Sequence, residues 1–384
     1  MLEREAMAIL VSAGVPYSLR GRALALAGSA LAVLSEPEKY ANALTQDGVI
    51  ALRKAVNNKN HILDELFENK VHLVIAGEEG YPQRLLQIPQ PPHLLFVQGQ
   101  AQLDDALSVA VVGTRGASAY GLRHTRRIAR ELAKAGACIV SGLAVGIDAA
   151  AHEGALQANG RTVAVLGGAL NRFYPAENRW LRDRIIENGG SVVTEYQMGV
   201  SPKPYAFLKR NRIIAGMTMG TLVTDGPVKS GALRTATDAA DYGREVFALP
   251  GDVDAPGSAL PHKLIAEGAH LVTCAADVLS VLAPQLALEI DGERQRPHPA
   301  RASGKAEKKQ AKQQDVHKEQ AGNANDLPPQ ERAVLAALEG GEMEFDALCE
   351  QTGMDGATLG TVLMELEMDG LITSLPGLRY ARRG

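Results

Sequence analysis

Little in this chain suggests a covalent or metal-built scaffold. Its three cysteines, Cys138, Cys274 and Cys349, lie far apart and form no CxxC pair. That spacing excludes a disulfide framework and a zinc knuckle and fits a reducing compartment. Each cysteine reads as a small buried hydrophobe. Aromatic residues make up 4% of the 384 while glycine contributes 39. Tight turns are therefore expected, not an aromatic-rich sandwich. No apolar run approaches the roughly 18 residues of a membrane helix. Glu3, Arg4 and Glu5 interrupt the N-terminal MLEREAMAIL, which leaves no signal-peptide core, so a cytoplasmic protein that makes no membrane contact is expected. The net charge is −4. Nucleic-acid binding through general basicity is excluded, whereas a local basic face is not. Catalytic motifs are missing too: Lys229-Ser230 lacks the upstream glycine frame of a Walker A loop, and there is no GxSxG or HExxH. Neither a catalytic constellation nor a cofactor or metal site is expected, and the chain reads as a non-enzyme.

What is present divides into four parts. Residues 1–75 are rich in Ala and Leu at helical spacing, with Gly and Pro breakers, and read as a helical domain. Over 76–284, short apolar runs alternate with amphipathic stretches. The runs are SVAVVG, CIVSG, TVAVLGG, SVVTEY, TLVTDG, EVFALPG and HLVTC. This alternation predicts a doubly wound α/β fold with a mainly parallel sheet, its strands buried on both faces. Residues 285–325 include DGERQRPHPARASGKAEKKQAKQQDVHKEQAGNAN, with no aromatic and Val316 as the one large apolar residue. Such a stretch cannot bury enough surface to fold and reads as a flexible linker. Residues 326–384 offer three short helices and a possible hairpin, the pattern of a winged helix. Leu359, Val362, Leu363 and Leu366 form one apolar stripe there.

The chemistry concentrates in glycine-rich turns after the apolar runs. In VAVVGTRGASAYG, Gly113 and Gly116 permit close approach of a ligand, Thr114 lies between them, and Arg115 offers a fork for phosphate. A helix should begin between Ser118 and Gly121, with its positive end available to an anion. Arg123, Arg126, Arg127 and Arg130 then fall on one helix face as a possible additional basic surface. A second turn carries Ser141 and Gly142, followed by Asp148 and His152. That pair lacks a nucleophile or metal partner and reads as structural. A third turn holds Gly167 and Gly168 ahead of Tyr174. In SPKPYAFLKRNRIIAG, the cations Lys203, Lys209, Arg210 and Arg212 surround Tyr205 and Phe207. Cations for phosphates beside rings for bases suit single-stranded nucleic acid. Asn211 reads as a polar anchor. Lys229, Ser230 and Gly231 precede another helix and form a fourth anion-friendly start.

Taken together, VVGTRGASAYG, VSGLAVGIDAAAHEGAL, VAVLGGALNRFYPAEN, RNRIIAG, KSGALRTATDAADYGREVFALPGD and LIAEGAHLV resemble the DNA-processing protein A (DprA, or Smf) family over roughly residues 80–283. The resemblance implies an extended Rossmann-like core that binds and protects single-stranded DNA and assembles as a homodimer. It also implies loading of the RecA recombinase onto that strand, in natural transformation or in repair. Contacts implied by the family fall on Arg115, Ser141, Gly142, the segment around Lys203 and Phe207, Arg210 and Asn211. The helical N-terminal domain (sterile-alpha-motif-like or a degenerate helix-hairpin-helix) and the winged helix fit the family as well. One departure is Asp225-Gly226, where members commonly carry Glu-Ala.

Two other readings compete. A nucleotide-processing enzyme of the lysine-decarboxylase-like Rossmann group would also hold phosphate on glycine turns, but its PGGxGTxxE signature is absent from GMTMGTLVTDG. A duplex-binding regulator would use the winged helix. From Asp326 onward, however, eleven acidic residues face four basic ones, a net −7, which repels phosphate. That domain is predicted to contact protein.

Overall fold

Nine of the strands join in one sheet. At one margin, β1 (His72–Ile75) and β2 (Leu94–Gly99) run antiparallel to each other, and β2 pairs antiparallel with β6. The seven apolar runs supply β3 (Ser108–Val112), β4 (Cys138–Ser141), β5 (Thr162–Val165), β6 (Ser191–Thr194), β7 (Gly220–Val223), β8 (Glu245–Ala248) and β9 (His270–Leu271). All pairings among these seven are parallel. The order is β1-β2-β6-β5-β4-β3-β7-β8-β9. From β3 the chain winds outward to β6, then returns to lay β7 on the other side of β3. The strand order therefore reverses between β3 and β7, where open α/β sheets form a ligand crevice. This computed structural model describes residues 1–284, 328–368, 371–375 and 377–383. The linker expected over 285–325 lies outside them.

Helices cover both sheet faces. After the glycine turns come α6 (Ala119–Lys134) and α7 (Ile147–Gln157), then α8 (Arg179–Glu187), α9 (Pro204–Gly216), α10 (Gly231–Asp241), α11 (Ala259–Ala266) and α12 (Ala275–Leu282). The start of α6 shows how sequence sets these elements. Ser118 caps it by accepting from the Gly121 N–H at 2.9 Å. Thr125, Ile128, Ala129, Leu132 and Ala133 then repeat at helical spacing and are buried.

The N-terminal helices α1 (Glu3–Ser12), α2 (Tyr17–Ala27), α3 (Ala30–Ser35), α4 (Ala41–Asn57) and α5 (Lys59–Glu68) share a core with the sheet. Ile9, Leu10, Leu44 and Leu52 join Phe96, Leu166 and Ile185 in one apolar cluster. Burial of each such side chain contributes about 1.5–3 kcal/mol. Residues 72–75 were grouped by composition with the helices, and the structure corrects this by making them strand β1. The strand HLVI buries Val74 and Ile75 alone and stands outside the strand–helix alternation that marked the other strands.

The C-terminal residues form a winged helix. Its helices α13 (Pro329–Ala337), α14 (Phe345–Thr352) and α15 (Gly356–Met368) pack around Leu348, Leu359, Leu363 and Leu366. The hairpin foreseen in the sequence is β11 (Ile372–Leu375) with β12 (Arg379–Arg382), and β10 (Met343–Glu344) adds a third strand.

Candidate nucleic-acid interface

At the switch point, β3 ends on Gly113. A Cβ there would stand 2.6 Å from both the Asp225 carbonyl and the Ile147 side chain, so only glycine fits. The chain then projects Arg115 into solvent. The Arg115 guanidinium lies 5.4 Å from the Phe207 ring centroid, within cation–π range. Phe207 comes from α9, which opens on Pro204, and the Tyr174 ring sits 5.9 Å from it. Opposite, Ser230 caps α10 by accepting from the Ala232 N–H at 3.1 Å. Lys229 is exposed beside this helix start, and nothing crowds Gly231. These groups line a cavity of about 620 Å³ that also takes in Gly113, Thr114, Asn211 and Arg210. Cation, ring and helix N-terminus thus converge, the combination that suits phosphates and unstacked bases.

Arg210 has a different part from the phosphate grip read in the sequence. It is 5% exposed, and its guanidinium donates to the Gly142 carbonyl at 2.8 Å, to the Val165 carbonyl and to Asn211 Oδ1 at 3.2 Å. Asn211 in turn donates to the Gly231 carbonyl at 3.2 Å. Together the two residues tie the ends of β4 and β5 to the start of α10. Asn211 is thus the polar anchor anticipated. Burial pulls the Arg210 pKa down to about 10, opposed by the nearby Asp148 carboxylate, so the group stays charged at neutral pH. Burial also raises the Asp148 carboxyl above its usual range. His152 is fully buried, donates to or accepts from Thr162 Oγ1 at 2.7 Å, and is driven down to about 3 by burial. Asp148 and His152 are structural, as read.

The backbone cradles read in the first two turns are satisfied internally. Thr114 N–H donates to the Asp225 carbonyl, Gly116 N–H to Thr114 Oγ1, and Ser118 N–H to Asp225 Oδ2. The positive end of α6 therefore already faces a carboxylate. In the second turn, the Gly142 and Ala144 amides donate to Asp148 Oδ2. Ser141 is buried, with its hydroxyl on the Val111 carbonyl at 2.6 Å. These corrections share one cause: amides packed at the ends of interior strands find partners within the fold. The arginine face is also reduced. Arg126 pairs with Glu153 at 2.5 Å, and Arg127 lies 3.7 Å from Glu131 and donates to the Thr273 carbonyl. Arg123 and Arg130 remain exposed. Lys203 precedes α9 between Pro202 and Pro204, which line the cavity, but is not itself in the wall. Lys209 is turned toward Tyr205, Phe345 and Tyr380 beneath the winged helix, and Arg212 is buried against Glu195 at 2.5 Å. Tyr174 belongs to the wall although its sequence signal, an aromatic in a glycine-rich loop, pointed only to a helix entry.

A model of the DNA recombination-mediator protein A family matches residues 72–283, and the DprA winged helix domain matches residues 318–377. The chain belongs to the DNA recombination-mediator protein A family. Protein Smf of Escherichia coli K12 is 40% identical over 306 residues, covering 80% of this chain and 76% of that one. Protein Smf of Synechocystis is 33% identical over 354 residues, 86% of each. The X-ray structure of DNA processing protein A from Streptococcus pneumoniae superposes with a TM-score of 0.64 at 33% identity, covering 73% of this chain and 98% of that one. Membership gives the chain a recombination-mediator role in DNA processing and an extended Rossmann-like core followed by a winged helix. Among the described residues, no helix is long and apolar enough to cross a membrane.

Proposed function

We propose that the chain binds single-stranded DNA in the switch-point cavity, without chemistry of its own, and presents that strand to a RecA-type recombinase in transformation or repair. The observation that carries this reading is the grouping of the Arg115 fork, the Phe207 ring and the Lys229–Gly231 helix start around one cavity. Arg115 and Lys229 neutralise phosphates, while Phe207 and Tyr174 offer faces to bases whatever their identity. The competing nucleotide-processing reading lacks a base. Among the described residues Asp148 is the one carboxylate in the wall, and its Oδ2 is engaged by two amides. A homodimer fits the exposed edge of β9, where Leu271 is 54% exposed.

The test is a salt-titrated anisotropy comparison of single-stranded, duplex and mononucleotide ligands. Single strands should bind tightest, with log affinity falling by about 0.7 per phosphate neutralised for each unit of log salt. Affinity indifferent to salt, or release of free base from mononucleotides, would overturn the reading.

A further inference from the structure

Helix-turn-helix domains and their relatives read duplex DNA with the last helix of the unit, laid in the major groove. In this chain the corresponding helix, α15, faces the protein's own core. Gly356, Gly360 and Met364 recur every four residues and form one row. A Cβ on Gly360 would stand 2.4 Å from the Tyr205 side chain, and one on Gly356 would lie 3.6 Å from the Tyr205 ring. Phe345, from α14, stacks on Tyr205 with centroids 6.0 Å apart and planes 21° from parallel. The row ends at Met364, which lines the switch-point cavity together with Arg115 and Lys229. The contact is thus a glycine track on an aromatic ring, running up to the mouth of the site.

The contact covers two members of the basic-aromatic segment, Tyr205 and Lys209. The covering body is acidic, net −7 from Asp326 onward, with Glu365 and Glu367 on α15 itself. Such a body competes with phosphate for the cations beneath it. We propose that the C-terminal domain is an acidic gate over one end of the groove: docked through α15 it covers Tyr205 and Lys209, and a strand running past Leu208 must displace it. The proposal rests on the groove reading above. A short strand held between Arg115 and Lys229 leaves the gate docked. A longer one gains a ring and a cation but gives up the docking contact.

The experiment uses the full chain with strands of about 4 and about 16 nucleotides, the span of site sizes seen for single-strand modules. Hydrogen exchange at Tyr205–Lys209 reports docking. Gly360→Trp leaves no room for α15 on Tyr205. It should release those amides, tighten the long strand about 3–10-fold, leave the short strand unchanged, and steepen the salt slope by about 0.7 as Lys209 joins the site. If the substitution instead unfolds the winged helix, the gate is still lifted and the same result is expected. Met364→Lys should tighten the docked protein's grip and Met364→Glu should loosen it. Released amides with an unchanged long-strand affinity, or equal affinities for the two Met364 variants, would overturn the gate while leaving the groove intact. Wild-type protein that binds neither strand would sink the groove reading, and the gate with it.

Discussion

Arg115 and Arg210 are both arginines of the candidate site, yet they should answer differently to removal. Arg115 is exposed and touches the Phe207 ring. Arg115→Ala is expected to weaken single-strand binding by about 1–3 kcal/mol, the worth of a charge-assisted contact, with the unfolding midpoint unchanged. Arg210→Ala would leave the Gly142 and Val165 carbonyls without their donor and Asp148 without its nearby positive charge. Breaking a buried arrangement of this kind costs about 3–5 kcal/mol of stability, readable by urea denaturation. An Arg210→Ala protein of normal stability and lost affinity would instead make Arg210 a direct contact. His152 gives a pH signature. Its ordinary value of 6.5 is driven down to about 3 by burial, so between those values the unfolded chain binds a proton that the folded one refuses. This contribution is fully present above about pH 6.5 and shrinks by about 1.4 kcal/mol per unit as pH falls toward the folded value. His152→Gln should flatten that part of the slope between about pH 7 and pH 5. Parallel loss in wild type and variant would place the slope elsewhere.

Among the elements, the first two turns at the strand ends lean on each other. Gly146, at the start of α7, has φ +83°, and a Cβ there would stand 2.5 Å from the Thr114 carbonyl oxygen and 2.6 Å from that of Arg115. The second turn thus forms the floor of the first. Gly146→Ala combines an unfavourable backbone region with this collision and is expected to cost about 1–3 kcal/mol of stability. It should also lower strand affinity by moving Arg115 off Phe207. Wild-type melting and affinity would mean that the turn has slack. The α6 and α10 helix starts illustrate a limit of reading elements singly. Both follow glycine turns and both carry serine caps. Only tertiary placement shows that Asp225 already occupies the first while Lys229 leaves the second open to the cavity.

For the whole molecule, the testable property is assembly. The sheet ends on the two-residue strand β9, with Leu271 54% exposed. An open apolar edge of this kind favours pairing with a second copy. Sedimentation should show a dimer at micromolar concentration and a monomer after Leu271→Glu. A monomeric wild type would remove the homodimer from the proposal. The architecture itself was legible because seven glycine-bounded apolar runs state their strands plainly. The β1–β2 pair was not, because an antiparallel pair falls outside the strand–helix alternation and HLVI buries only half its residues. The N-terminal helices were legible as helices. Their fusion with the sheet core through Phe96 was not, since an amphipathic face does not name its partner.

The sequence by itself determined the strand and helix alternation, the winged helix, the family and part of the cavity wall, among it Arg115, Phe207 and Lys229, because periodicity, turn chemistry and motif order are local properties of the chain. The tertiary structure alone decided which of those residues remain available. Arg115 and Lys229 stay open while Arg210, Arg212 and Ser141 are enclosed. Solvation of a charge depends on what packs against it from distant segments, and spacing along one segment carries no record of that.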